Sequence, residues 1–291
     1  GGTRRSSCTS GPDADQDQDG WSKNQGDCND CDPNVNAGAI DVLNTADGGA
    51  VWGDEDCDGT PGSSGQQTCD DGLPLDYMDP LNAAKAIELC KTTGATDKTY
   101  GLIEAKWTRA DGAAYSPGVN AGIQPNFGPN VNTQAGKSML AVSSGHARLP
   151  GQPDACNDFS CYTSGASTAP PGFPQDSPSC NQSSEINDDV ALEVRLRAPT
   201  NATGYRYKFR FYSFEYPEFV CTSWNDQFIA LVNPAPTGAV NGNISFDTQN
   251  NPVSVNVAFF DVCAGCPAGT NDLTGTGFDV WDDAGATVWL Q

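Results

Sequence analysis

Histidine and positively charged side chains are scarce in this sequence of 291 residues. There is one histidine, His146, and 15 Lys and Arg residues stand against 37 Asp and Glu residues, for a formal net charge of −22. A phosphate-binding surface cannot be assembled from so few cations, and the same negative field repels anionic lipid headgroups. A single imidazole also excludes metal sites built from several histidines. We therefore expect no nucleic-acid partner and no enzymatic activity.

Long apolar runs are also missing, whereas cysteine is abundant. No segment approaches the roughly 18 apolar residues of a membrane-spanning helix, so we expect no membrane insertion. Twelve cysteines fit an oxidising compartment, where thiols pair, better than a reduced cytosol. We therefore expect a secreted, extracellular or cell-surface protein with disulfide bonds.

Negative charge is concentrated at the start of the chain. Residues 1–72 hold 15 acidic residues and three cations, and they are too poor in apolar residues to build a core by hydrophobic burial. Metal and disulfides must hold this segment together. A Gly- and Ser-rich stretch typical of flexible linkers follows. We predict a small Asp-rich calcium-binding module at 1–61, a linker at 62–75 and a large domain at 76–291.

The large domain is predicted to be all-β with one short helix. Asp79 provides an N-cap and Pro80 a first helical position for a helix over Leu81–Lys91. Alternating segments bounded by Gly, Pro and Asn predict strands. These segments are 101–109, 137–143, 190–198, 204–212, 227–232 and 253–260. An antiparallel β-sandwich, jelly-roll-like in type, is the expected architecture.

Two segments of the large domain carry further signals. In 190–198, Leu192, Val194 and Leu196 alternate with charged residues and are expected to face inward, as in a sheet with one solvated face. The segment 150–184 is rich in Cys and Pro and has little apolar periodicity. We predict a long loop there, pinned by disulfides.

The Asp-rich module begins with carboxylates at every second position. If Asp15, Asp17 and Asp19 take the first, third and fifth places of a calcium loop, Gly20 falls at the sharp turn and Trp21 offers its backbone carbonyl. No amphipathic helix flanks this loop, so an EF-hand is not predicted. An all-oxygen ligand set suits Ca²⁺, which is the expected cofactor.

The segments DADQDQDGWSKNQGDCND, NAGAID and DEDCDG resemble the metal-binding repeat named after the surface copper protein MopE, which is itself similar to thrombospondin type 3 repeats. The resemblance covers roughly residues 13–60 and implies a disulfide between Cys28 and Cys57 that brings a second Asp-rich turn, with a possible second ion, near the first. Copper is disfavoured because this segment has neither His nor Met. The predicted metal ligands are Asp13, Asp15, Asp17, Asp19, Trp21, Asp27, Asp30, Asp54, Asp56 and Asp58.

The large domain resembles the choice-of-anchor L domain. The similarity lies in DYMDPLNAAKAIELC, GLIEAKW, GIQPNFG, AVSSGHAR, DDVALEVRLRAPTNATGYRYKFRFYSFEYPEFVCTSWNDQFIALV, GNISFD, VNVAFF and GTGFD. It implies a β-rich fold and an extracellular location, and little about mechanism. Members of the family continue beyond the stretch that here reads GATVWL, whereas this sequence stops at Gln291. We expect either that a tail is removed or that another molecule supplies the missing strand.

Together these features predict a secreted or surface-displayed, non-enzymatic, calcium-stabilised structural or adhesive protein. Its expected partners are further copies of itself, in a filament or other polymer assembled by strand complementation, or other surface proteins or glycans. The alternative is a carbohydrate-binding module or glycan-active enzyme that uses the acidic and aromatic residues of 212–226, among them Glu215 and Asp226. Such a pair of acids can equally cap turns, hydrogen-bond strand ends or bind a further metal ion.

The remaining cysteines allow several pairings. Cys69 and Cys90 are a second predicted pair. Cys263 and Cys266 can close a small loop with each other or pair elsewhere. Zinc binding by such Cys-x-x-Cys segments is disfavoured in a disulfide-rich, secreted chain.

Overall fold

The structure is a computed structural model. It describes residues 10–45, 50–62, 68–76, 78–158, 161–163, 165–177, 180, 185–247, 250–256, 260–280 and 283–291. In this part of the chain strands predominate, and Pro80–Lys85 (α1) is the one α-helix. Short 3-10 turns lie at Lys23–Gln25 and Asn271–Leu273. The prediction of a mostly β protein with one short helix is confirmed.

The strands are short and pair in small sheets. In chain order they are β1 Leu43–Asn44, β2 Val51–Trp52, β3 Gly101–Thr108, β4 Ala121–Gln124, β5 Met139–Val142, β6 Ala166–Ser167, β7 Ile186–Asn187, β8 Ala191–Arg197, β9 Tyr212–Ser213, β10 Val262–Cys263 and β11 Gly285–Ala286. The pairs β1–β2, β4–β5 and β6–β7 are antiparallel. β3 pairs with β8, and β11 lies between β10 and β9 in an antiparallel sheet of three strands.

Half of the predicted strands form as expected. The segments 101–109, 137–143 and 190–198 contain β3, β5 and β8. The other three predicted strands are not formed as continuous strands. Isolated bridges occur in 204–212, 227–232 and 253–260, and the first of these segments also ends on the first residue of β9. Residues 257–259 lie outside the described part of the chain. Alternation predicts which side chains share one face of a strand, but it does not by itself supply a paired neighbour.

Helix α1 begins as predicted and ends early. Asp79 is the N-cap, and its side chain accepts a hydrogen bond from the backbone N–H of Leu81 at 2.9 Å, while Pro80 occupies the first turn. The predicted helix continued to Lys91. It stops at Lys85 because the backbone turns soon afterwards: Glu88 has a φ of +66°, in the left-handed region that a right-handed helix cannot accommodate.

The chain groups into two compact units. Unit 1 comprises the described residues of 1–69, 88–105 and 194–205, and unit 2 those of 70–87, 106–193 and 206–291. Unit 1 thus contains the Asp-rich module expected at 1–61 together with two later segments, 88–105 and 194–205. Of the expected linker at 62–75, residues 63–67 lie outside the described part of the chain.

Unit 2 contains two apolar clusters. In one, Val262 and Leu273 pack with two buried alanines against the partly buried Tyr212, Phe214 and Phe278. The other consists of Ala83, Trp107 and Ala121, with Leu140, Val190 and Leu192 against them. The residues of β8 that were predicted to face inward differ in their burial. Leu192 packs against this second cluster, whereas Leu196 is 48% exposed. The inward prediction is therefore wrong for Leu196. The inward-facing side of β8 is therefore only partly buried, and its burial ends before Leu196.

Five disulfides connect described cysteines. They join Cys28 to Cys57, Cys69 to Cys90, Cys156 to Cys161, Cys180 to Cys221 and Cys263 to Cys266. The two predicted pairs are confirmed, and the last pair closes the small loop that the sequence left open. So many disulfides indicate an oxidising, extracellular environment. Among the described residues, no helix combines the length and apolar character needed to cross a bilayer.

The Cys- and Pro-rich segment 150–184 is largely without regular structure where it is described. Its one strand there is β6, and the disulfides at Cys156 and Cys180 fix it at two points. Residues 159, 160, 164, 178, 179 and 181–184 lie outside the described part of the chain.

Candidate metal centre

Two loops of unit 1 share one backbone geometry. In the first Asp loop, Asp15–Gly20, the N–H of Gly20 donates to Oδ2 of Asp15 at 3.0 Å. In the second, Asp54–Gly59, the N–H of Gly59 donates to Oδ1 of Asp54 at 3.2 Å. Both glycines have left-handed backbones, with φ of +91° and +85°, which glycine adopts without steric cost. The pattern D-x-D-x-D-G therefore folds twice into the same turn.

Further side-chain-to-backbone hydrogen bonds stabilise both turns. Asp17 Oδ1 accepts from the N–H of Asp19 at 3.3 Å, and Asp19 Oδ1 accepts from the N–H of Trp21 at 2.7 Å. In the second loop Asp56 and Asp58 accept from the N–H two residues later, at 3.2 and 2.7 Å. These Asx turns curl the backbone around the carboxylates.

The first Asp loop joins later aspartates in a cluster of five carboxylates. Oxygens of Asp15, Asp17 and Asp19 lie within 4.8 Å of one another, and so do oxygens of Asp17, Asp27 and Asp30. Because Asp17 belongs to both groups, we call the five residues the Asp17 cluster. Carboxylates this close repel one another unless a proton or a cation lies between them. The cluster is thus a group of acidic residues that could hold a metal ion.

Asp27 gives an independent indication of a ligand. Its side chain is 3% exposed, and its Oδ1 accepts a hydrogen bond from the N–H of Asn29 at 2.7 Å. Its Oδ2 is buried and has no hydrogen-bond partner among the described residues, as is also true of Oδ2 of Asp17. A buried carboxylate oxygen without a partner carries a large desolvation cost. A bound cation would remove that cost.

The pKa values of three of these aspartates are raised above their ordinary range. Burial is the largest cause of the raised pKa values of Asp17, Asp27 and Asp56. Hydrogen bonds from backbone N–H groups lower these pKa values, and the charges of neighbouring aspartates raise them again. In the absence of a cation, the full charge of the loops is therefore unfavourable.

The second Asp loop forms its own group with a residue that the sequence analysis missed. Oxygens of Asp41, Asp54 and Asp56 lie within 4.8 Å of one another. Asp41 is 4% exposed, and its Oδ1 accepts hydrogen bonds from the N–H groups of Glu55 and Asp56, at 2.9 and 3.3 Å. Asp41 is the last residue of the NAGAID segment, so the motif itself was the signal that could have identified it.

Two predicted acidic ligands stand apart from the Asp17 cluster and the second carboxylate group. Asp13 and Asp58 belong to neither group among the described residues. Oδ1 of Asp13 accepts a hydrogen bond from Asn24 at 2.6 Å. Trp21 is buried, with its N–H bonded to Asp19, and the use of its carbonyl as a ligand stays a prediction.

A lysine from a distant part of the sequence lies at the first Asp loop. Lys98 Nζ donates to the carbonyl of Gly20 at 2.5 Å and to Gln25 at 3.2 Å, and it sits 5.3 Å from the ring centroid of Trp21. One positive charge thus partly offsets the negative potential of the Asp17 cluster.

The acids of the alternative prediction lie in unit 2. The backbone N–H of Asp226 donates to Glu215, and Asp226 accepts a side-chain hydrogen bond from Ser144. Burial, with the charge of Asp226 as a second cause, raises the pKa of Glu215 to about 7. Burial also raises the pKa of Asp226. Trp224, nearby in the sequence, is 65% exposed.

Comparisons with models of protein families, with curated proteins and with solved structures found no match to this chain. The two family resemblances of the sequence analysis therefore stay predictions.

Proposed function

We propose that this protein is a secreted or surface-displayed, non-enzymatic structural or adhesive protein whose Asp-rich segment binds calcium. The observation that carries the cation site is the buried, unpartnered Oδ2 of Asp27 within the Asp17 cluster. The five carboxylates and the carbonyl of Trp21 would supply six oxygen ligands, within the six to eight that Ca²⁺ takes. Copper and zinc favour the sulfur and imidazole ligands that the cluster lacks.

Calcium would act on stability rather than on chemistry. Neutralising the carboxylates removes their repulsion, so the free energy of binding contributes to folding of the Asp-rich segment. At a free calcium concentration 100 times the Kd, one site stabilises the folded state by about 2.7 kcal/mol.

Calorimetric titration of the metal-free full chain with calcium chloride tests this function directly. We expect binding in the wild type and a Tm that falls after EGTA treatment. The Asp27→Asn variant should bind at least about tenfold more weakly, since it removes a charge from the cluster. Asp13→Asn is the matched control, because Asp13 lies in the same Asp-rich segment but outside the Asp17 cluster. No heat of binding and an EGTA-insensitive Tm in the wild type would refute the proposal.

The structural role is proposed from fold class and resemblance together. The small antiparallel sheets and the disulfides suit an extracellular building block, and we retain the β-sandwich as the proposed architecture of the large domain. Polymerisation by strand complementation is the sharper form of this proposal. Electron microscopy of the purified chain, with calcium and after chelation, should show filaments that depend on calcium. Dispersed particles in both conditions would count against a polymer.

Glycan binding is the second candidate. It is favoured by the exposed Trp224 and by Glu215, an acid of the same segment 212–226 whose pKa is raised to about 7. Retention on a polysaccharide panel, lost in Trp224→Ala, would indicate binding. Hydrolysis lost in Glu215→Gln would indicate catalysis. A chain that is neither retained nor active, in the wild type, removes this candidate.

A further inference from the structure

Asn36 connects the first Asp loop to two other segments of unit 1. Its side chain is 0% exposed. Nδ2 donates to Oδ2 of Asp19 at 2.8 Å, and Oδ1 accepts from the hydroxyl of Thr200 at 2.9 Å. The backbone N–H of Asn36 donates to the carbonyl of Glu55 at 2.9 Å. One buried residue therefore contacts an aspartate of the Asp17 cluster and a turn after β8 through its side-chain amide, and a residue of the second Asp loop through its backbone N–H.

The turn after β8 is held by the same stretch of chain. The N–H of Thr200 donates to the carbonyl of Gly38 at 2.9 Å. Ile40 and Asn201 exchange two hydrogen bonds: the N–H of Ile40 donates to Asn201 Oδ1 at 3.0 Å, and Asn201 Nδ2 donates to the carbonyl of Ile40 at 2.8 Å. Residues 36–40 thus fix the turn at three points besides the Asn36 side chain.

The second Asp loop is fixed from the other end of this stretch. Asp41 Oδ1 accepts from the N–H of Glu55 at 2.9 Å, while the carbonyl of Glu55 accepts from Asn36. The segment 36–41 therefore holds Glu55 through both of its backbone polar groups. A displacement of the segment 36–41 would therefore alter the hydrogen bonds at both the N–H and the carbonyl of Glu55.

We propose that Asn36 couples cation binding at the Asp17 cluster to the second Asp loop and to the Thr200–Asn201 turn, an inference that depends on the cation binding proposed above. A cation would draw the carboxylate of Asp19 towards the other carboxylates of the Asp17 cluster and hold it there. Without one, repulsion from the neighbouring carboxylates displaces Asp19. Because the amide of Asn36 is planar, a shift of its Nδ2 also moves its Oδ1, which accepts from Thr200 and from the N–H of Gly38, and the contact with Thr200 tightens or loosens with Asp19.

Three substitutions in the full chain separate this coupling from a general loss of stability. Asn36→Ala removes the side-chain hydrogen bonds to Asp19 and Thr200, together with those to the backbone of Pro33 and Gly38. Thr200→Ala removes the link to the turn and leaves the contact with Asp19. The matched control is Asn120→Ala in unit 2, because Asn120 is 1% exposed and its amide is likewise hydrogen-bonded on both sides, to Tyr115 and to Gly118.

Calorimetry with calcium chloride and hydrogen exchange by mass spectrometry, with calcium or EGTA, provide the two measurements. In the wild type we expect calcium to slow exchange in the segments 36–41, 54–59 and 199–203. Asn36→Ala should bind calcium about 10–100-fold more weakly, as is typical for loss of a group that orients a metal ligand, and should show no calcium effect at 199–203 when calcium is saturating. Thr200→Ala should keep its affinity but lose the effect at 199–203 alone.

The possible failures are distinguishable. If the wild type binds no calcium, the proposed function fails and the coupling with it. If the wild type binds but exchange at 199–203 is the same with calcium and with EGTA, cation binding stands and the coupling is refuted. An Asn36→Ala affinity equal to that of Asn120→Ala would also refute the role of Asn36.

Discussion

Ser138 donates two hydrogen bonds to the same oxygen of Asp70, from its backbone N–H at 2.6 Å and from its hydroxyl at 3.0 Å. The N–H of Lys137 donates a third to that oxygen at 2.7 Å. Asp70 is 1% exposed. Burial raises the pKa of this carboxyl, but the hydrogen bonds outweigh burial and leave the pKa below its ordinary value. Asp70 is therefore held as a carboxylate inside unit 2.

The Asp70→Asn substitution should lower the free energy of unfolding by about 2–3 kcal/mol, because the hydrogen bonds to a charged oxygen are weakened. Urea denaturation at pH 7 with saturating calcium measures this. Asp71→Asn is the control, since Asp71 is exposed, and its free energy of unfolding should change little.

A carboxyl whose folded-state pKa is lowered, such as that of Asp70, contributes stability above its unfolded-state pKa, and this contribution is lost as the pH falls below about 4. The two variants should therefore differ less at pH 3 than at pH 7, and equal stabilities at pH 7 would contradict the role of Asp70.

Asp41 and Asp58 test the composition of the second carboxylate group. Asp41→Asn keeps an oxygen that can accept from Glu55 and Asp56 but removes a charge from the group. We therefore expect weaker calcium binding, by roughly tenfold or more. Asp58→Asn should have the smaller effect, because Asp58 lies outside the group. Calorimetric titration with calcium chloride measures the calcium affinity of both variants. A larger loss of affinity in Asp58→Asn than in Asp41→Asn would support Asp58, the ligand predicted from sequence, over Asp41.

Gly20 tests the turn of the first Asp loop. In Gly20→Ala the new Cβ meets no atom within 4 Å, so its cost is conformational. A φ of +91° disfavours any side chain, and we expect a loss of about 1–2 kcal/mol in the free energy of unfolding. Gly11→Ala, which also meets nothing within 4 Å and has no left-handed backbone, is the control. Equal urea midpoints for the two variants would show that the turn tolerates a side chain.

Glu215 should make stability depend on pH near neutrality. Because its folded-state pKa is raised to about 7, the folded state keeps a proton that the unfolded state has lost above about pH 4.3. Stability should therefore fall as the pH rises from about 4.3 to 7. Glu215→Gln cannot lose that proton, so its Tm should decline less over this range.

Saturating calcium during these scans keeps the Asp loops from contributing to the pH dependence. Glu218→Gln is the control, since Glu218 is exposed three residues away, and it should follow the wild type. If Glu215→Gln also follows the wild type, the buried acid does not hold its proton in the folded state.

Local signals in the sequence predicted local structure well. The N-cap Asp79 and the following proline located the start of α1, and the alternation of 190–198 located β8. The end of α1 depends on the left-handed backbone of Glu88, which no helix-stop residue marks. The exposure of Leu196 depends on what covers the strand, which the pattern of one strand does not contain.

The candidate metal centre was predictable to a similar extent. Spacing alone indicated that Asp15, Asp17 and Asp19 would converge, because the turn of a D-x-D-x-D-G segment is local. The grouping of Asp41 with the second Asp loop is set by tertiary hydrogen bonds to Glu55 and Asp56. The contact of Asn36 with Thr200 spans 164 positions, and no local pattern indicates it.

The composition of unit 1 has a consequence for the order in which the protein is made. A ribosome adds about 5–20 residues per second, so the 164 positions from Asn36 to Thr200 take on the order of 10–30 s to synthesise. Early in that interval the synthesis of the aspartates of both loops is completed, while the turn that engages Asn36 does not yet exist. Synthesis thus produces the charged part of unit 1 well before the segment 194–205 that completes it, so a nascent chain that does not yet include this segment cannot form the whole unit.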